Sequence, residues 1–114
     1  MPYIELNKNL PGITGLLEFR LDTAQPIRQL THILLRGNST LTEGERELIA
    51  SVVSFGNECA FCTAAHTAAA DLLLGEKESA EKAKSDPVHA PVSAKMKALL
   101  DIERAVQVSG KNVT

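Results

Sequence analysis

Three side chains carry the densest reactive chemistry in this chain: Cys59, Cys62 and His66, within the run Glu58-Cys59-Ala60-Phe61-Cys62-Thr63-Ala64-Ala65-His66. On a helix they stand at i, i+3 and i+7, within about 60° of one another around the axis. Both sulfurs can therefore meet, with the imidazole one turn beyond. A helix start beside Cys59 adds unpaired backbone N–H groups and the positive end of the dipole, which stabilise a thiolate. A low-pKa thiolate with a second thiol in reach can attack, be oxidised and close an intramolecular disulfide. His66 can take or supply the proton near neutral pH.

Other readings of the same residues stand beside this one. The cysteines can be inert core residues, with His66 an ordinary hydrogen-bonded helix histidine. C-x2-C-x3-H also offers three zinc ligands, with Glu47, Glu58 or His89 as a fourth, although no second paired-ligand cluster exists. A thioredoxin-type motif requires βαβ units, and the chain has none. Glu58 reads as a capping or dipole-complementing group, and Thr63 as a mid-helix threonine bonded back to a carbonyl. His32 and His89 have no evident partner.

The elements that must position these groups are helices separated by short turns. Residues 1–11 look extended, ending at Pro11-Gly12, and a short helix follows over 13–19. Asp22-Thr23 supply cap chemistry for a helix to Arg36, with Pro26 in its first turn and Ile27, Leu30 and Leu34 marking a buried face. Gly37-Asn38 stops it. Thr42 with Glu45 three residues later spells a capping box. The helix that follows carries Leu48, Ile49, Val52, Val53 and Phe55 and is interrupted at Gly56-Asn57. Another opens near Glu58-Cys59 and runs to Leu74, with Gly75 as its stop. Alanine at 60, 64, 65, 68, 69 and 70 keeps it thin, so it is expected to be buried against close neighbours. Residues 76–86 form a charged, solvated helix. Pro87 and Pro91 bracket a turn, and a last helix from Ser93 presents Met96, Leu99, Leu100 and Val106 before Ser109-Gly110. The expected class is an all-α bundle of five to six helices, in one domain over 1–114.

Composition narrows the function. At 114 residues the chain can bury roughly two-thirds of its unfolded surface without a metal or disulfide staple. A net charge of -2, no Trp, one Tyr and three Phe leave neither a basic face nor a stacking platform for nucleic acid. No signal-peptide pattern or membrane-length apolar run is present. Two cysteines without an export signal indicate a reducing compartment, the cytoplasm.

Taken with Glu47, the motif becomes E-x11-C-x2-C-x3-H, which resembles the alkylhydroperoxidase D-like branch of the carboxymuconolactone decarboxylase superfamily. The segments Leu41-Thr42-Glu43-Gly44-Glu45-Arg46-Glu47 and Lys95-Met96-Lys97-Ala98-Leu99-Leu100 also look like its peroxidase-related members, so the similarity runs from about residue 10 onward. The resemblance implies an all-helical, oligomeric antioxidant enzyme of peroxiredoxin type, a trimer or hexamer. A small hydroperoxide is its substrate, a protein thiol its reductant, and no cofactor or metal takes part. It implies that Cys62 is oxidised to a sulfenic acid, that Cys59 resolves it as a disulfide, and that Glu47 and His66 relay protons. The helix dipole by itself would have favoured Cys59 as the more acidic thiol.

Two departures accompany the resemblance. Well-studied members carry a further relay histidine where this chain has Phe61, and relatives continue with more helices beyond the length of this chain. Decarboxylase or lactone chemistry, as the superfamily name suggests, is the alternative enzyme; a non-enzymatic redox-sensing or metal-binding oligomer is the alternative module. Apolar surface on more than one face of the cysteine helix and on the last helix leads to an expected homo-oligomer with the active helix near a subunit contact.

Overall fold

Thr42 begins the part of the fold that holds the cysteines. Its hydroxyl accepts the Glu45 N–H at 3.1 Å, while the Glu45 carboxylate accepts the Thr42 N–H at 2.8 Å. The capping box read from the sequence is thus formed, and it starts the helix at Glu43. The computed structural model describes residues 3–114. Within them lie six α-helices: α1 (Thr14–Phe19), α2 (Leu21–Arg36), α3 (Glu43–Gly56), α4 (Ala60–Leu74), α5 (Glu78–Ser85) and α6 (Ala94–Val108). Single 3-10 turns follow at Pro87–His89 and Gly110–Asn112, and no strand occurs among the described residues. The expected all-α class is the class found. No helix of the described residues is long and apolar enough to cross a membrane.

The chain forms two compact units, Met1–Asn38 and Ser39–Thr114. In the second, α3 is the central helix and packs against α4, α5 and α6. Leu48 and Val52 of α3, Ala70 of α4, Ala80 and Ala83 of α5, and Met96 and Leu100 of α6 make one apolar core, with Ala90 closing it. Gly44 lets α4 come close: a Cβ there would sit 2.8 Å from Leu74 Cδ2 and 3.2 Å from the Leu74 backbone nitrogen. The 76–86 segment is therefore not merely solvated. Glu78–Ser85 buries Ser79, Ala80 and Ala83, and of its charges Lys84 turns inward toward Thr67. Alanine and serine offer little apolar area of their own, which is why the role of this face in the core was not legible.

The first unit departs further from expectation. A turn at Asn7, whose carbonyl accepts the Leu10 N–H at 3.1 Å, breaks the stretch read as extended; residues 1 and 2 lie outside the described residues. Helix α2 starts at Leu21 with no side-chain cap, and Asp22 pairs with Arg20 instead of capping. Pro26 is then the sixth helical residue, beyond the first turn, so the Asp22 carbonyl receives no i+4 donor. Ile27, Leu30 and Leu34 are not buried: they are 47%, 57% and 62% exposed. Their unit supplies only the six-residue α1 as a neighbour, too short to cover a stripe that runs most of a four-turn helix.

Helix α4 was expected to be buried, but in the single chain Ala70 is its only buried residue among those described. Leu72 is exposed, as are Phe61, Leu73 and, on α6, Val106. One flank meets α3; the other faces outward.

Three measurements of unfolding free energy follow from this packing. Leu100 is fully enclosed, so Leu100→Ala is expected to cost about 2–5 kcal/mol in chemical denaturation. Thr42→Ala removes the cap and is expected to cost about 1 kcal/mol. Glu103 of α6 has both carboxylate oxygens buried without a partner, and desolvation raises its pKa above the ordinary 4.5, opposed by the charge of Arg104. A raised folded-state pKa favours the native state at low pH and loses that contribution as pH rises through it. Glu103→Met is therefore expected to stabilise the protein at pH 7, with the difference from wild type shrinking as pH falls toward 4.5. An equal gain at both pH values would show that the carboxylate's charge is not what matters there.

Candidate active site

The α3–α4 turn places the first cysteine. Asn57 caps α3, Glu58 adopts a left-handed conformation (φ 56°), and the Cys59 N–H returns to the Ser54 carbonyl at 3.1 Å. Gln107 of α6 fastens the turn, donating its amide to the Val53 carbonyl at 2.9 Å and to Asn57 Oδ1 at 2.7 Å. Cys59 is thereby the N-cap of α4, and its sulfur accepts the Cys62 N–H at 3.3 Å. Thr63 bonds back to the Cys59 carbonyl at 2.8 Å, as a mid-helix threonine does.

The two sulfurs are joined as a disulfide across 5.3 Å between Cα atoms. Backbone N–H groups and the positive end of α4 surround the Cys59 side of this bond, so negative charge arriving on that sulfur is stabilised on reduction. Cys62 lies inside the first turn, with His66 one turn further along the same face.

Glu47 comes from α3, whose geometry relative to α4 only the packed structure fixes. Its carboxylate oxygen Oε2 accepts a hydrogen bond from His66 Nδ1 at 2.7 Å. Glu47 is 2% exposed, whereas the imidazole keeps 30% of its side-chain surface open. The exposed first-turn carboxylate that Glu47 resembles in isolation is thus a buried one. Because a carboxylate accepts and does not donate, Nδ1 carries a proton in this bond, which leaves Nε2 as the nitrogen turned away from Glu47. The structure thus pairs Cys59 with Cys62 in one helical turn and His66 with Glu47 across the α3–α4 seam, with His66 one turn beyond Cys62 on α4.

The remaining candidates fall elsewhere. Among the described residues no three His, Cys, Asp or Glu side chains converge in a way that would hold a metal ion. His89 has a partner after all: its Nδ1 lies 2.9 Å from Asp86, and this hydrogen bond holds the Asp86 carboxyl below its ordinary pKa. Glu58 stands exposed at the turn, and Phe61 is half-exposed at the start of α4. Sequence reasoning missed Gln107, Ser51, Thr67 and Lys84. Ser51 Oγ lies 2.6 Å from Thr67 Oγ1, which Lys84 Nζ reaches at 2.8 Å. A faint signal existed, since Ser51 follows Glu47 by one helical turn and Thr67 is the neighbour of His66.

Residues 22–84, more than half of the chain, match the profile of the carboxymuconolactone decarboxylase family. The chain belongs to that family. Two solved structures show where in this family it lies. One is the alkylhydroperoxidase AhpD core of Ralstonia eutropha JMP134, an uncharacterized peroxidase-related protein; it is 25% identical, with a TM-score of 0.82 over 92% of this chain and 55% of that one. The other, an uncharacterized peroxidase-related protein from Silicibacter sp. TM1040, is 28% identical, with a TM-score of 0.82 over 91% of this chain and 55% of that one. The chain thus spans about 55% of the length of each. No curated protein matches significantly. Within the carboxymuconolactone decarboxylase family the fold is that of the alkylhydroperoxidase D-like branch, as the sequence motif had implied.

In this family member the disulfide closes a loop of only four residues. Reduction is therefore expected to lower the unfolding free energy by about 2 kcal/mol or less and to leave the helical circular dichroism intact. Loss of helix on reduction would mean that the bond is a structural staple.

Proposed function

We propose that this protein is a thiol-dependent hydroperoxidase that works through the Cys59–Cys62 pair. The observation that carries the reading is the conjunction of that disulfide with the Glu47–His66 hydrogen bond along the first half of α4. Peroxide reduction needs a thiolate, a resolving thiol and a proton carrier, and these are the groups present.

In the reduced enzyme His66 Nε2 takes the proton of the Cys62 thiol. The Cys62 thiolate attacks the distal oxygen of a small hydroperoxide, the O–O bond breaks, and the alkoxide leaves with the proton returned by His66. Cys62 is then a sulfenic acid. The Cys59 thiolate, held by the N-terminus of α4, attacks the Cys62 sulfur; the S–O bond breaks, and hydroxide departs as water after protonation. The disulfide so formed takes two electrons from a protein dithiol, which becomes a disulfide in turn. Glu47 supports the cycle by holding His66 in the tautomer that leaves Nε2 free and by stabilising the imidazolium. A reducing compartment such as the cytoplasm would sustain this turnover.

The half-exposed Phe61 occupies the place of a further relay histidine, so the chain relies on Glu47 and His66 for proton transfer. The family's name carries a second reading, decarboxylase or lactone chemistry, which would use the same imidazole and carboxylate; the cysteine pair has no work in it. The outward apolar residues of α4 and α2 support assembly into a homo-oligomer, a trimer or hexamer, with α4 near the subunit contact.

Stopped-flow consumption of tert-butyl hydroperoxide with a dithiol reductant tests the chemistry. Wild type is expected to turn over, and Cys62→Ser to be inactive. Pre-reduced Cys59→Ser, mixed with peroxide in the absence of reductant, is expected to consume one equivalent and stop at the sulfenic acid. Glu47→Gln and His66→Asn are each expected to slow thiol oxidation about a hundredfold at neutral pH. Full activity in Cys62→Ser would overturn the reading. For the assembly, sedimentation equilibrium at micromolar concentration should give a multiple of 12.3 kDa; a single monomeric species would sink the oligomer.

A further inference from the structure

A second polar tier crosses the seam between α3 and α4, next to the Glu47–His66 couple. Ser51 stands one turn after Glu47 on α3 and is wholly buried, with its Oγ 2.6 Å from Thr67 Oγ1. Thr67 directly follows His66 on α4. Lys84 of α5 donates to the same Thr67 oxygen at 2.8 Å; its side chain is 10% exposed, and its ion pair with Glu81 is a loose one at 3.9 Å. Three helices therefore meet in one hydrogen-bonded chain.

We infer that Ser51, Thr67 and Lys84 are positioning residues for His66, setting the rotation of α4 against α3 and so the alignment of the imidazole with Glu47. The argument is one of leverage. At 100° per residue His66 and Thr67 lie about 100° apart on α4, and the buried Ala70 falls between them. The two side chains thus straddle the line along which α4 touches α3. Their partners, Glu47 and Ser51, share one strip of α3 at i and i+4. Any roll of α4 that carries His66 toward α3 carries Thr67 away, and the reverse. One hydrogen bond would leave that roll free; two on opposite sides remove it. Small alanines at this seam provide little interdigitation that could lock the roll by shape.

Lys84 completes the brace from the outer side. Its ammonium draws electron density from Thr67 Oγ1, making the threonine O–H a better donor, so the proton order runs from Lys84 to Thr67 to Ser51. A buried serine hydroxyl left without a partner is costly, which gives the tier a defined closed state. The consequence for peroxide chemistry rests on the proposed hydroperoxidase function. The effect on His66 itself does not.

The test reads the imidazole directly, in the full-length 15N-labelled protein. Ring-nitrogen resonances of His66 in the wild type should show the Nδ1–H tautomer that the Glu47 bond selects. Thr67→Val keeps the shape and removes the hydroxyl; Ser51→Ala removes its partner. Both are expected to shift the ring resonances toward a mixture containing the Nε2–H tautomer. Both should also slow Cys62 oxidation by tert-butyl hydroperoxide about tenfold and displace its pH profile, as a modest misalignment of a catalytic group does. Thr67→Ser restores the hydroxyl and should recover both readouts, and Lys84→Met should move them in the same direction by less. Unchanged His66 resonances in Thr67→Val and Ser51→Ala would overturn the inference. If Thr67→Val does not fold, unchanged resonances in Lys84→Met would overturn it instead. Shifted resonances in a wild-type background that consumes no peroxide would sink the hydroperoxidase reading and leave the brace standing.

Discussion

A carboxylate removed from water, as Glu47 is, loses several kcal/mol of hydration unless charged or polar partners replace it. The 2.7 Å hydrogen bond from His66 supplies part of that replacement, and the arrangement of the second unit follows from it. The bond can form only if α3 and α4 pack side by side with Glu47 and His66 turned toward one seam. That packing in turn requires small residues where the helices touch: Gly44 beneath Leu74, and Ala70 at the centre of the contact. The pair proposed to carry protons is thus also part of the packing of the second unit.

The position of the disulfide depends on a different constraint, the short reversal between α3 and α4. Glu58 takes a left-handed backbone conformation uncommon for a residue with a Cβ. Three backbone hydrogen bonds onto the end of α3 and the amide of Gln107 hold the reversal in place. The result sets Cys59 at the N-cap, so that its sulfur meets the amide of Cys62. In the proposed cycle the N-cap sulfur is the resolving and leaving thiolate, and Cys62, one helical turn before His66, is the attacking one. The dipole argument is compatible with that proposal, because the more stabilised thiolate need not be the one that meets peroxide.

Surface chemistry separates the two faces of α4. The inner flank carries hydroxyls and the imidazole into the α3 seam, while the outer flank shows Phe61 and Leu72 to solvent. On α2, the leucine and isoleucine stripe is likewise uncovered within its unit. In a chain that spans about 55% of the structures it resembles, such faces are natural places for further contacts, and they give the assembly proposal its physical basis.

The all-α class and the helix that carries the cysteines were legible in the sequence, as was the set of four residues proposed for the site. Capping boxes, glycine stops and residue spacing along one helix are local properties, fixed by backbone hydrogen bonding and by 3.6 residues per turn. That is why Thr42 with Glu45, the stop at Gly75, and the shared face of Cys59, Cys62 and His66 could all be read directly. Local signals misled where a neighbour's presence mattered. The α2 stripe looked like a buried face because amphipathicity reports what a helix can bury; α1 is too short to cover it. The Glu78–Ser85 helix looked solvated because its core face consists of alanine and serine, whose burial is decided by what α3 brings against them. Glu47 was linked to His66 only through a motif, since nineteen residues separate them and no periodicity spans two helices. The tertiary structure alone decided that link, the buried Ser51–Thr67–Lys84 tier and the clasp of Gln107 on the turn. Each joins residues far apart in the chain, and such contacts depend on how helices rotate and slide against one another, a quantity that no single helix encodes.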